Sequence, residues 1–503
     1  MNRLKRLSVL VFALGLGSVV RVARAEEPAP QTVDRAWVVS TLLANNPSLK
    51  AAWLGVGQAT EVRRGEEGRF PYVFEADAGY TRSETPALGL NGVTTSSNES
   101  VLVGTQLSRT FPTGTTATLR AEGQRFESSR PSTTSIVTNQ PGVGYEATVR
   151  ATVTQPLLRG YGTEVNEAGL RAARISETQA NKAFVRQTSE LLRDALSAYW
   201  ELWYASRSVE IEREALALAK DQQLDARRRV EQGAVSPADA LQFDSQVATI
   251  NESLVKAQAS VTQQALSLGL LVGRPEGSEN LIAVDAEPED PSLVARSVLM
   301  REATETSPAI AELEQALRLA RENEKTAGDE LRRRLDLTTW VEAAGLGAAH
   351  VAPALRQLRD LSAVSVYGGV TFETDLDTKR LRAARAQASY AVRIAESNLV
   401  AARQNLRNQA SQLLLQLNTA RASLAAAEIT LGVARKQAEL ERQRFMLGAS
   451  TPLQVAVAED TLRQAQLRVA RAVVDRTKAW LSLSHVSGDL LRRYPLKTPT
   501  SNN

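Results

Sequence analysis

The chain has 503 residues, a formal net charge of +4 and few aromatics (5%), with no cysteine and only two histidines, His350 and His485. Disulfides, thiolate nucleophiles and cysteine-bound metals are excluded, and two distant histidines with no ligand pattern around them make neither a metal site nor a nucleophile–histidine pair. Nothing in the composition converges on chemistry, so no catalytic, cofactor or metal site is expected and the protein reads as a non-enzyme.

Arg3, Lys5 and Arg6 precede an apolar run over 7–20, and Ala23-Arg24-Ala25 follows as a small-residue cleavage pattern. Residues 1–25 are expected to be a signal peptide, with the mature chain starting at Glu26. That segment carries five basic residues and no acid, so its removal takes the charge from +4 to −1 and leaves a nucleic-acid partner without electrostatic support. No cysteine follows it, so no lipid anchor is expected. The run is short for a membrane span and no later stretch reads as a transmembrane helix. A chain like this crosses a membrane only as a β-barrel.

Short alternating stretches come next. Tyr72, Phe74, Ala76, Ala78 and Tyr80 share one parity, while Glu75, Asp77 and Thr81 take the other. Strands are expected at about 71–82, 101–110, 115–127 and 146–157, with the second and third meeting at the tight turn Phe111-Pro112-Thr113-Gly114. Polar Ser/Thr/Asn/Gly-rich stretches at about 83–99 and 128–144 read as long loops. An apolar face, a polar face, short turns at one end and long loops at the other are what a membrane barrel needs.

Helix-favouring sequence then runs from about 163 to 232. Gly233 stops it, Pro237 restarts it, and the partner helix runs to about 272. After 290 the pattern repeats: strands at about 335–346 and 364–374, then a long helix from about 378, a stop at Gly448, a restart at Pro452, and an end near 487. A tail is expected over 491–503. The two restarts are nearly one sentence: "RVEQGAVSPADALQ" at 229–242 and "RFMLGASTPLQVAV" at 444–457. "LRAAR" occurs at 170–174 and 381–385, and "NNPSLKAA" at 45–52 has a counterpart in "TSPAIAEL" at 306–313. The expectation is an internal duplication of two units, 26–290 and 291–490. Leu381, Ala384, Ala388, Leu399, Ala402, Leu406, Ala410 and Leu413 form a stripe of small and large apolar residues, suited to close helix packing. Trp200, Trp203 and Tyr204 cluster in the first long helix and read as core.

With "FPYVFEADAGY" (70–80) and "QPLLRGYG" (155–162) flanking the first strands, this order of features resembles the TolC family of outer-membrane efflux proteins. The resemblance implies a mainly α fold with a membrane β-barrel. Three protomers would build one α-helical barrel of long coiled-coil hairpins, continuous with one shared β-barrel. It implies a passive exit duct of a tripartite efflux or type I secretion system. That duct would sit in the outer membrane of a Gram-negative envelope, extend into the periplasm, and be served by a periplasmic adaptor and an inner-membrane transporter. Gly233, Ala234, Ser236, Pro237, Gly448, Ala449, Thr451 and Pro452 would form the periplasmic tips that dock the adaptor, and Asp239, Phe445, Ser450 and Val457 would stand at the entrance constriction. The family's tip carries a Tyr before the Gly, and Arg and Asp after it; here Phe445, Ser450 and Val457 stand instead, so apolar packing around Phe445 is expected in place of ion pairs. Four strands per protomer would make a twelve-stranded barrel; the extra hairpin at 101–126 either widens it to eighteen or folds outside the wall. The competing reading is a structural coiled-coil protein of the envelope, which has no use for amphipathic strands.

Overall fold

A computed structural model describes residues 31–89, 92–129, 142–232, 236–274, 277–286, 288, 301, 305 and 307–494. The signal segment 1–25, Gly233 and Ala234 of the first tip, residues 130–141 of the polar stretch 128–144 and the end of the tail lie outside the described residues.

The chain begins with β1 (Gln31–Val33), α1 (Arg35–Asn45) and α2 (Pro47–Glu67). Asp34 caps α1 by accepting from the Trp37 amide at 2.7 Å, and Asn46 caps α2 by accepting from Leu49 at 2.9 Å. Four strands follow: β2 (Val73–Gly89), β3 (Gly92–Thr110), β4 (Thr116–Ser129) and β5 (Gly142–Pro156). The first helical hairpin is α3 (Thr163–Asn166), α4 (Ala168–Glu231) and α5 (Pro237–Leu271), and β6 (Leu281–Ala283) returns to pair in parallel with β1. Then come α6 (Pro308–Glu330), β7 (Arg334–Ala348), α7 (Val351–Arg359), β8 (Val364–Glu373), α8 (Lys379–Met446), α9 (Pro452–Ser487) and α10 (Asp489–Arg493). α10 reaches into the segment expected as tail.

The six long strands form one antiparallel sheet in the order β2-β3-β4-β5-β7-β8. The hairpin β3–β4 therefore lies within the sheet, not outside it. The stretch 83–99, expected as a loop, is instead the far part of the β2–β3 ladder, which pairs without a break from Val73↔Ser108 to Gly89↔Gly92. Its Thr residues are good strand formers, and a polar strand that projects past an apolar band shows no hydrophobic alternation to betray it.

Register gives the sheet two different faces. Phe74, Ala76 and Ala78 pair with Leu107, Thr105 and Val103; the same face continues through Leu119 and Ala121, Val149, Ala151 and Val153, Leu337, Val341 and Ala343, and ends on Val364, Val366, Val370 and Phe372. The opposite face carries charge. Arg120 reaches Asp77 at 3.2 Å and Glu122 at 2.9 Å, Arg150 pairs with Glu342, and Trp340 stacks on Tyr367 at 5.6 Å.

All the long helices join the sheet at one end. α4 has 64 residues and α8 has 68, about 96 and 102 Å at the helical rise, and their partners α5 and α9 have 35 and 36. Buried positions recur by sevens: Leu202, Val209 and Leu216 on α4, and Ala410, Leu417 and Leu424 on α8. A repeat of seven keeps one seam facing its neighbour along a coiled-coil pair. Of the expected stripe on α8, Leu381, Leu399 and Ala410 are buried, and Ala402, Leu406 and Leu413 pack at the edges of buried clusters.

The main core sits where β1 and β6 cross the helices, and holds Leu192, Leu196, Tyr199, Trp200 and Leu202 of α4 with Leu42, Leu268 and Leu481. Trp200 is 2% exposed, so the aromatic cluster is core. The Tyr199 hydroxyl donates to Asp285 at 2.6 Å and Trp203 Nε1 donates to the Asp285 carbonyl at 2.9 Å, which fixes the segment after β6 to α4.

Polar links tie α4 to α9 along their length. Glu201 accepts from Arg471 at 2.7 Å and Lys478 at 2.6 Å; burial opposes its ionisation, but these two cations hold its carboxyl below the usual range. Further down, Glu212 pairs with Arg463 at 2.5 Å, both side chains being largely shielded. Glu212→Ala should therefore cost about 3 kcal/mol, the low end for breaking a buried pair because Asp460 still neutralises Arg463, whereas Glu252→Ala in the exposed Glu252–Lys256 pair should leave stability close to that of the native chain. Denaturant unfolding of the two variants checks the contrast.

His485 shares a 2.7 Å hydrogen bond with the Ser189 hydroxyl, and burial pushes its pKa from 6.5 down to about 4; Arg193 adds to this, Glu190 and Asp194 oppose it, and Arg186 adds a little more. The folded state thus holds a neutral imidazole that the unfolded chain would protonate. Its contribution, about 3 kcal/mol at most, is present above pH 6.5 and is lost as pH falls toward 4. A pH series of melting curves should show this slope in the native chain and a flatter one in His485→Gln.

Candidate functional site

The expected sites cluster at the end of the helices farthest from the sheet. There α8 must reverse into α9 within a few residues. Gly448 adopts φ 72°, the left-handed region that favours glycine. Its amide donates to Phe445 O at 3.0 Å and the Ala449 amide donates to Arg444 O at 2.8 Å, the doubled bond pattern that closes a helix C-terminus. Thr451 opens α9. Its side chain accepts from the Gln454 amide at 3.3 Å, while the Gln454 side chain accepts from the Thr451 amide at 3.0 Å, and Pro452 takes the first helical position. Ser450 donates to Glu441 at 2.7 Å and lies 3.0 Å from the Gln454 side-chain oxygen, and Glu441 also pairs with Arg444 at 2.8 Å. The turn is thus fastened to both of its helices.

At the first tip the described residues resume at Ser236, whose carbonyl accepts from the Ala240 amide at 3.3 Å, and Pro237 starts α5. Asp239 lies in the first turn of α5.

Phe445 links the two hairpins. Its ring lies 6.2 Å from that of Phe243 on α5, which is 1% exposed, and the Arg229 guanidinium of α4 stands 5.2 Å above it. Arg229 also approaches the Met446 sulfur at 3.6 Å. A cation over an aromatic face and a tilted aromatic pair are together worth about 1–2 kcal/mol in a partly shielded site. One turn higher, Glu459 accepts from Arg442 at 2.7 Å and from Gln222, joining α9 to α8 and α4. A recess of about 200 Å³ lies beside it, lined by Arg442, Glu459, Asp460 and Arg463 with Gln246 and Ile250.

Of the four constriction residues, Phe445 and Ser450 are therefore tied into the tip, the first through Phe243 and Arg229 and the second through Glu441. Val457 is exposed on α9. Sequence reasoning missed Arg229, Phe243, Gln222 and Glu459. Arg229 occupies the same place in its repeat as Arg444, which was a usable signal; the others are recognisable only once the two hairpins are side by side. Among the described residues no group of acidic and histidine side chains is placed to hold a metal ion, and no helix is long and apolar enough to cross a membrane.

Comparison with known proteins accords with this architecture. Residues 299–489 match the family model described as outer membrane efflux protein. No protein in the curated set matches the chain in sequence. Among solved structures, the chain resembles the outer membrane protein VceC from Vibrio cholerae, at 17% identity over 90% of this chain and 96% of that one, with a TM-score of 0.61. It resembles the CmeC outer membrane channel of Campylobacter jejuni at 12% identity over 96% and 94%, TM-score 0.62. It resembles the MtrE outer membrane channel of Neisseria gonorrhoeae, described in its open state, at 15% identity over 90% and 88%, TM-score 0.58. At these identities the structures speak for the fold, a helical body joined to a β-sheet, and the family match speaks for the second half of the chain. The resemblance read from the sequence thus holds: residues 299–489 match the outer membrane efflux protein family, and about nine-tenths of the chain shares the fold of solved outer membrane channels.

Proposed function

We propose that this protein is a passive exit duct across the outer membrane and periplasm of a Gram-negative cell, assembled from three copies. The observation that carries the reading is a single sheet, apolar on one face and charged on the other, continuous with two helical hairpins whose long arms are about 96 and 102 Å. A wall between lipid and water needs those two faces. A passage through the periplasm needs that reach.

The edges β2 and β8 support assembly. Both are long, and neither has an outer neighbour among the described residues. Unpaired strand edges are excluded from a bilayer, so the edges must meet those of other copies. Three copies of six strands close as an eighteen-stranded barrel, with 26–290 and 291–490 acting as two repeats per copy. α8 supports the helical tube: Tyr390, Ile394, Val400, Leu415, Ile429, Val433 and Leu440 are exposed on it in the single chain and await neighbouring helices.

The tips at 233–237 and 448–452 are the sites offered to a periplasmic adaptor. Energy comes from an inner-membrane transporter of a tripartite efflux or type I secretion system, and the chain itself does no chemistry. Phe445, clasped by Phe243 and Arg229, takes the place of the family's polar links and holds the entrance narrow by packing the second hairpin against the first.

Two measurements test this. Negative-stain microscopy of the detergent-extracted protein should give hollow threefold cylinders more than about 100 Å long with a micelle at one end; a thin rod that needs no detergent would leave an envelope coiled coil. In planar bilayers, Phe445→Ala should raise single-channel conductance severalfold over the native protein, and unchanged conductance removes Phe445 from the entrance.

A further inference from the structure

The short helix α7 interrupts the sheet between β7 and β8, at the end opposite the long helices. Which face it covers follows from register. Gly345 and Gly347 have the parity of Val341 and Ala343, on the apolar face. A Cβ on Gly345 would lie 2.0 Å from the Ala354 carbonyl oxygen, and one on Gly347 would lie 2.4 Å from that of His350. α7 therefore folds back onto the apolar face of β7 and β5, and the glycines are what let it come so near. Ala354 is fully buried there, and Gln357 accepts from the Leu346 amide at 3.0 Å. Among the described residues the only non-glycine positive φ angles are at Ala349 and Leu361, 64° and 48°, one on each side of this helix. Two left-handed turns are tolerated where the segment between them is held in place.

The rest of α7 faces outward. Val351 and Leu355, one turn apart, are 48% and 52% exposed, and Leu361 beyond the helix is 63% exposed. Arg356 and Arg359, also exposed, lie on the adjoining flank. Arg359 reaches Asp360 at 2.8 Å, and no ion pair engages Arg356 among the described residues. An apolar flank beside a basic flank, set at the margin of an apolar band, is the pattern of a helix in the plane of a membrane interface.

We propose that α7 is an interfacial helix on the lipid side of the wall. Val351, Leu355 and Leu361 enter the acyl margin, and Arg356 and Arg359 engage lipid headgroups of net negative charge. The occupant follows from continuity with the apolar face and from the sign of the adjoining charge. The proposal rests on the reading of the sheet as a membrane wall, and its test separates the two.

Because the chain has no cysteine, Leu355→Cys and Val366→Cys each create a single labelling site. The trimer carrying an environment-sensitive fluorophore at either position is reconstituted in phosphatidylcholine vesicles that contain equal mole fractions of brominated phosphatidylcholine or brominated phosphatidylglycerol. Both labels should be quenched by brominated chains. The label at 355 should favour the phosphatidylglycerol quencher by about fivefold per arginine, and Arg356→Gln with Arg359→Gln should abolish that preference without altering quenching at 366. Quenching at 366 but not at 355 overturns the interfacial helix and leaves the wall intact. Equal quenching of 355 by both lipids overturns the headgroup assignment. Absence of quenching at both positions overturns the wall itself, and the proposal with it.

Discussion

A chain that crosses a sheet an even number of times comes back to the side it left. This parity governs the whole molecule. β2 to β5 make four crossings and β7 and β8 make two, every neighbour antiparallel, so each excursion ends where it began. Both helical hairpins are thereby delivered to the same end of the sheet, and can lie side by side with their turns at a common depth. Had the first excursion held three strands, α4 would emerge on the opposite side from α1 and α2, and the core in which Leu42, Leu49 and Val56 pack against α4 could not form. The near-equal arms, 64 and 68 residues, then follow from a single requirement of matched reach.

What binds the hairpins changes along their length. Midway along α4 a dense aromatic and aliphatic core dominates. From there toward the tip, polar links are spaced down α4 and α9, from Glu201 through Glu212 to Gln222 with Glu459. Apolar heptads alone allow one helix to slide past another by a turn; a shielded Glu212–Arg463 pair has one register at which it is satisfied. At the tip the contact is softer still, a ring pair with a guanidinium above it. The gradient runs from fixed core to loosely held end.

Much of this could be read in the chain before any coordinates. The parity of Phe74, Ala76 and Ala78 gave the apolar face of β2, and Gly448, Thr451 and Pro452 gave the second turn, because both signals are local. The far part of the β2–β3 ladder was not legible: its residues are polar on both faces, so composition suggested a loop where backbone pairing makes a strand. Nor was α7, nine residues long and lying between two strands, too short for its periodicity to stand out. Phe445 was singled out by the sequence, yet its partners Phe243 and Arg229 lie more than 200 positions away and meet it only through tertiary packing.

The continuity of α8 has a mechanical consequence. Its 68 residues contain no proline, and Gly432 is the one glycine. Sharp bends in helices arise at proline, at glycine pairs or at inserted bulges, and α8 carries neither of the first two. Such a rod moves as a lever. A tilt of about 3° at the sheet displaces the far end of a helix of about 102 Å by about 5 Å, more than the width of an aromatic ring. Angular play at the sheet too small to disturb strand pairing there is thus geared up to a displacement that parts Phe445 from Phe243.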